Sequence, residues 1–156
     1  MTKICILGKM NTKYEAPFDD KSWEIWSMNK HNDAKFIPRV DVWFDLHKDK
    51  EAFTYNPNAD IKKEDFPFEA CHQLVDGRYF NNTAAYLIAY AILKGATEIA
   101  LYGMQFIADH ERRNEEYQNV REMIFFAKGR GVKVTAPADA IMLRQYIKNE
   151  EKDFDQ

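Results

Sequence analysis

The stretch from Arg78 to Phe106, RYFNNTAAYLIAYAILKGATEIALYGMQF, restricts the fold more than any other. It reads as loop, helix, tight turn, strand and loop. Asn82 or Thr83 caps the helix, because a side-chain oxygen there accepts from a free first-turn amide. Tyr86, Leu87, Ala89, Tyr90, Leu93 and Lys94 follow at helical spacing. Gly95 stands where a left-handed residue closes a helix. Ile99 and Leu101 then sit in a short apolar run that ends at Gly103. Such a run reads as a strand covered on both faces, which need not alternate polar and apolar residues. A capped helix feeding a buried strand is half of a βαβ unit. Ligands of open α/β sheets bind beyond the carboxyl ends of such strands.

The flanking segments repeat this alternation. Lys3–Leu7 reads as a first strand and is followed by a polar loop, Lys9–Lys13. Trp23–Met28 reads as a second strand with Asn29 at its end, and Val40–Leu46 as a third, with His47 just beyond. Lys48–Gly77 is irregular, a lid or long connection with a short strand expected at Glu69–Leu74; its His72 has no partner spacing. Asn114 is expected to cap a helix through Tyr117, Val120, Ile124, Phe125 and Ala127, ending near Gly129 or Gly131. Val132–Thr135 is a last strand, Ala140–Ile147 a terminal helix capped by Asp139, and residues 149–156 a charged tail. The expected fold is therefore α/β, a single Rossmann-like domain over residues 1–148, its mostly parallel sheet flanked by helices on both faces.

Composition excludes several classes. The 156 residues suit one domain, and 46% hydrophobic with 30% charged residues is a globular balance. A net charge of −3 without a basic stripe argues against duplex nucleic acid as a partner. Two cysteines without metal spacing point to a reducing cytoplasm. The first strand begins at Lys3 and no apolar span has membrane length, so neither export nor membrane insertion is expected. Aromatic residues make up 14%, which leaves room for a homo-oligomer.

The chemical motifs are sparse. The loop after the first strand has one glycine, Gly8, where a dinucleotide loop needs three. Its amides, with Lys9, Asn11 and Thr12, suit a phosphate. No HExxH, paired CxxC, EF-hand, GxSxG or P-loop pattern occurs, so no metal and no cofactor is expected. Arg112, Arg113, Glu115, Glu116, Tyr117 and Arg121 cluster after the central strand. That cluster reads either as a phosphate clamp or as surface pairs at i,i+4 spacing.

Taken together, ILG with its polar loop, APFDDKSWEIWSMN, WFDLH, YFNNTAAYLIAYAILKGATEIALYGMQF and AKGRGVKV resemble small Rossmann-like proteins common in bacteriophage genomes. The arrangement is similar to the bacterial CMP-dependent sialyltransferases. The resemblance runs from Lys3 to Pro137 and is least specific over Lys48–Gly77. It implies nucleotide contacts at Gly8 to Thr12, with Thr12 replacing a serine, at Asn29, at Asn81, Asn82 and Thr83, and at Gly103, Gln105 and Phe106. It also exposes departures. The first loop lacks the second glycine and the proline, and Asn114 stands where the family carries its general-base histidine. A neutral amide cannot take that proton. The implied function is binding of a nucleotide, nucleotide-sugar or nucleotide-derived signal at the carboxyl edge, in a phage as sequestration of a host defence messenger in the host cytoplasm. The alternative is a small glycosyltransferase using a nucleotide-sugar donor, with His47, His110 or Glu115 as base.

Overall fold

The computed structural model describes residues 1–77, 80–104 and 111–137, the side chains of 111–114 excepted. Six strands form one parallel sheet: β1 (Thr2–Leu7), β2 (Trp23–Met28), β3 (Val42–Asp45), β4 (Ile61–Lys62), β5 (Ala96–Tyr102) and β6 (Lys133–Thr135). Their spatial order is β4-β3-β2-β1-β5-β6. Among the described residues the α-helices are α1 (Phe68–Val75), α2 (Thr83–Leu93) and α3 (Glu111–Gly129).

Alternation along β1 divides the core. Ile4 and Ile6 turn to one face, where they join Trp26, Phe44, Ile99 and Leu101 beneath the helices. Cys5 and Leu7 turn to the other, against Trp23, Ile25 and Ala100, under Ala16, Phe18 and Ile37. The first face is covered by α1, α2 and α3. The second is covered by the 3-10 turn Asn11–Glu15 and the loops near it; the expected terminal helix at 140–147 lies outside the described residues. Right-handed crossovers account for this division. The chain moves outward from β1 to β4 and back past β1 to β5 and β6, and a reversal of travel puts the connections on opposite faces.

Four expectations change. Glu69–Leu74 is not a strand but part of α1. Phe68, Cys71 and Val75 fall on one helical face and pack on the aromatic cluster of Phe66, Tyr86 and Tyr90. The third strand is shorter than Val40–Leu46, because the Asp41 carboxylate accepts from the Ile25 amide at 2.7 Å and from Arg39 at 2.6 Å. The helix expected to be capped by Asn114 already starts at Glu111. The loop after β1 is a 3-10 turn that buries Lys13.

Asn82 does cap α2, accepting from the Ala85 amide at 2.9 Å. Its Nδ2 also donates to the Glu116 carbonyl of α3 at 3.3 Å. Asn82→Ala should therefore cost about 1–2 kcal/mol in chemical denaturation. Asn82→Asp keeps the cap and loses the donor, so its loss relative to wild type measures the tie to α3, and the difference between the two variants measures the cap.

Candidate functional site

The strand order reverses between β1 and β5, and the carboxyl ends of those strands meet there. Gly8 donates to the Tyr102 carbonyl at 2.7 Å, and Met10 to the Gly103 carbonyl at 3.0 Å. Gly103 has φ +73°, and a Cβ on it would lie 2.6 Å from the Gly8 oxygen. Only glycine fits this approach. The Thr12 hydroxyl is buried and accepts from the Gly103 amide at 2.7 Å. Thr12 thus clamps two strand ends together.

Lys13 turns inward as well. Its Nζ donates to the Lys9 carbonyl at 3.0 Å, to Asp33 at 2.7 Å and to His31 Nδ1 at 3.3 Å. His31 Nε2 donates to the Met28 carbonyl at 2.8 Å, so Nδ1 is the accepting nitrogen. Burial and the adjacent Lys13 ammonium lower the His31 pKa below its ordinary 6.5. Bonds from Lys13 and Tyr14 hold the Asp33 carboxyl down to about 2. Both shifts are downward. The His31 contribution to stability is complete above pH 6.5 and is lost as pH falls toward the lowered folded value. The Asp33 contribution is complete above 3.8 and is lost only as pH falls through about 2. The urea midpoint should drop between about pH 7 and pH 5, and His31→Gln should flatten that drop.

At the end of β2, Asn29 adopts a left-handed conformation with φ 61°. Its amide donates to the Phe44 carbonyl at 2.8 Å, and its own carbonyl accepts from the Trp43 indole. The side-chain Oδ1 is buried without a hydrogen-bond partner among the described residues. Buried acceptors are normally satisfied, so this oxygen is poised for a donor from elsewhere.

The loop before α2 is bound to α3. Asn119, buried on α3, accepts from the Asn81 amide at 2.9 Å and from Asn82 Nδ2 at 3.3 Å. Asn81 Nδ2 donates to the Glu115 carbonyl at 3.1 Å. Asn81, Asn82 and Thr83 nevertheless line a cleft of about 410 Å³, with Lys48 and Lys63 as cations and Phe68, His72 and Tyr86 as rings. A second cleft on the same edge, about 200 Å³, is lined by Lys9, Lys13, Lys30, Asp33, Phe53 and Thr54 among others.

His47 follows β3. Its Nδ1 lies 2.6 Å from Asp45 Oδ1 and its Nε2 lies 3.2 Å from Thr54 Oγ1. Asp45 is fully buried and also accepts from the amides of His47 and Asn56, at 2.9 and 2.6 Å.

The remaining sequence candidates divide. Asn11 is exposed on the first turn. Glu115 has an exposed side chain, Tyr117 packs on the main core, and the Arg121 guanidinium lies 5.6 Å from the Phe125 ring centroid. None of these three lines the 410 Å³ cleft. Gln105, Phe106 and His110, and the side chains of Arg112 and Arg113, lie outside the described residues. Thr54 and Asn119 carry no signal in the sequence, and Asp45 reads there with Asp41 as one more solvated or capping carboxylate pair. Asp45 carried a signal: an acid inside the apolar run VWFD.

The same fold occurs in a solved sialyltransferase. A point mutant of CstII, the sialyltransferase of Campylobacter jejuni, superposes with a TM-score of 0.52 at 14% identity over 86% of this chain and 81% of that one. CstII in complex with a trisaccharide acceptor and CMP gives 0.51 at 15% identity over 86% and 80%. No family model matches the chain. No curated protein matches it. Among the described residues no helix is long and apolar enough to cross a membrane, and no group of three or more His, Cys, Asp or Glu is placed to hold a metal.

Proposed function

We propose that this protein binds a nucleotide or nucleotide-sugar in the cleft before α2. The observation that carries the reading is the composition of that cleft, with Lys48 and Lys63 beside the amino terminus of α2 and two rings, Phe68 and Tyr86, in one wall. A helix amino terminus with two ammonium groups suits phosphate, and rings suit a base. The CstII fold, solved with CMP, supports the ligand class. The first cleft and the second divide between them the bends at Asn81–Thr83 and at Lys9, so each bend has its own polar wall. In its narrowest form the reading is capture of a nucleotide-derived signal, as a phage would use against host defence.

Thermal shift with CMP, UMP, GMP and AMP tests it. A ligand at about 100 times its Kd adds about 2.7 kcal/mol. Lys63→Ala should weaken that ligand about tenfold or more, the cost of one charged hydrogen bond. No shift with any nucleotide, or a shift untouched in both Lys48→Ala and Lys63→Ala, rejects the cleft.

A second reading, transfer from a nucleotide-sugar, is favoured by His47, whose ring is oriented by a buried carboxylate on the same sheet edge. Turnover of CMP-, UDP- and GDP-sugars decides between the two. Recovery of unchanged ligand after denaturation supports binding alone.

A further inference from the structure

The bonds between Asp45, His47 and Thr54 have a direction. Asp45 is fully buried and carries only acceptors as a carboxylate, so His47 Nδ1 donates to it. Nε2 is then the accepting nitrogen, and the Thr54 hydroxyl, 3.2 Å away, donates to it. This is the polarity of a nucleophile, its base and the group that orients the base. Anchoring of the loop accounts for the two amide bonds to Asp45. It does not account for a hydroxyl on the far nitrogen, in the wall of the 200 Å³ cleft.

That cleft has a definite character. Among the described residues three lysines and one aspartate line it, and Lys13 and Asp33 pair with each other at 2.7 Å, so this part of its wall is net positive. Phe53, 81% exposed, adds an apolar surface beside Thr54. An anionic organic substrate fits this wall.

We propose that Asp45, His47 and Thr54 form a hydrolytic relay acting on small esters that carry a carboxylate or phosphate. Thr54 Oγ1 bonds to the ester carbonyl carbon as its proton passes to His47 Nε2. The bond from that carbon to the leaving alcohol breaks, and the alcohol oxygen takes the proton from Nε2. Water, giving a proton to Nε2, then attacks the acyl carbon, and the bond to Oγ1 breaks with return of that proton. The products are an acid, an alcohol and free Thr54. Asp45 is a positioning residue, holding the tautomer. No nucleotide takes part, so failure of this relay leaves the nucleotide cleft standing, and the reverse also holds.

The full-length protein should be assayed with para-nitrophenyl succinate as anionic probe and para-nitrophenyl acetate as neutral control. The relay is expected to hydrolyse the succinate ester about 100-fold above buffer, the low end for base catalysis, with acetate much slower. Thr54→Val and His47→Gln, each shown folded by circular dichroism, should fall to the buffer rate, while Thr54→Ser stays active. Peptide mapping of an acid-quenched reaction should find succinyl on Thr54. Asp45→Asn, assayed where it remains folded, should displace the pH–rate profile. A folded Thr54→Val at the wild-type rate, succinyl on lysines alone, or an Asp45→Asn profile that matches the wild type overturns the proposal.

Discussion

Asp45→Ala should lower the unfolding free energy by about 3–5 kcal/mol, because three donors lose one fully buried acceptor. The carboxylate is fully buried and accepts three bonds, from the His47 amide, the His47 ring and the Asn56 amide, at 2.9, 2.6 and 2.6 Å. Alanine leaves those donors without an acceptor, and each buried unsatisfied group costs about 1–3 kcal/mol. His47 is partly exposed and recovers some of this through water. A domain of this size has about 5–15 kcal/mol in hand, so the variant should unfold at much lower urea. Asp45→Asn should fall between, because its amide oxygen keeps one acceptor while its NH₂ meets donors. A measured loss under about 1 kcal/mol for Asp45→Ala would show that the loop re-forms its bonds elsewhere.

Gly8→Ala acts through packing. A Cβ at Gly8 would lie 2.3 Å from the Gly103 oxygen and 2.8 Å from its carbonyl carbon. Both are backbone atoms just past the end of β5, so no side chain can swing aside. The ends of β1 and β5 must separate, and the 2.7 Å bond from Gly8 to Tyr102 lengthens with them. The expected cost is about 3 kcal/mol, the upper end for overpacking. Gly129→Ala is the control. Nothing lies within 4 Å of its added Cβ, and it sits in the last turn of α3. There alanine should be neutral or stabilising by up to about 1 kcal/mol. Equal stabilities for the two variants would contradict the close approach. Gly8→Ala should also loosen Thr12, whose hydroxyl reaches the Gly103 amide across the same junction.

Much of the fold was legible because its signals are local. The cap at Asn82, the apolar periodicity of TAAYLIAYAIL and the left-handed Gly95 all lie within one segment and mark α2 without help. The run ATEIALY marks β5 in the same way. The segment at Glu69–Leu74 was not legible, since six residues with scattered apolar positions satisfy a strand or two turns of helix equally well. Packing against Phe66 and Tyr86 decides for the helix. The strand order was equally hidden. Ile4, Cys5, Ile6 and Leu7 are all buried, and a strand apolar on both faces tolerates any neighbour.

The candidate positions show the same limit more finely. Thr12, Asn81 and Asn82 do stand at carboxyl ends of strands or at the start of α2. Yet the Thr12 hydroxyl turns to Gly103, and the amide donors of Asn81 and Asn82 turn to α3. Spacing locates a polar residue without saying which way its side chain points. Lys13 reads from sequence as part of a polar loop, yet it is 1% exposed because Asp33 and His31, some twenty positions on, supply its partners.

Sequence alone determined the α/β class, the capped central helix and the edge at which polar loops gather, because each rests on contacts within a few residues. Tertiary structure alone decided which polar atoms are consumed internally and which face a cleft. A buried lysine is tolerated only because Asp33 and His31, on another loop, supply its partners, and the bend before α2 is held because Asn119 on α3 accepts from the Asn81 amide. That supply is fixed by how the sheet brings distant loops together.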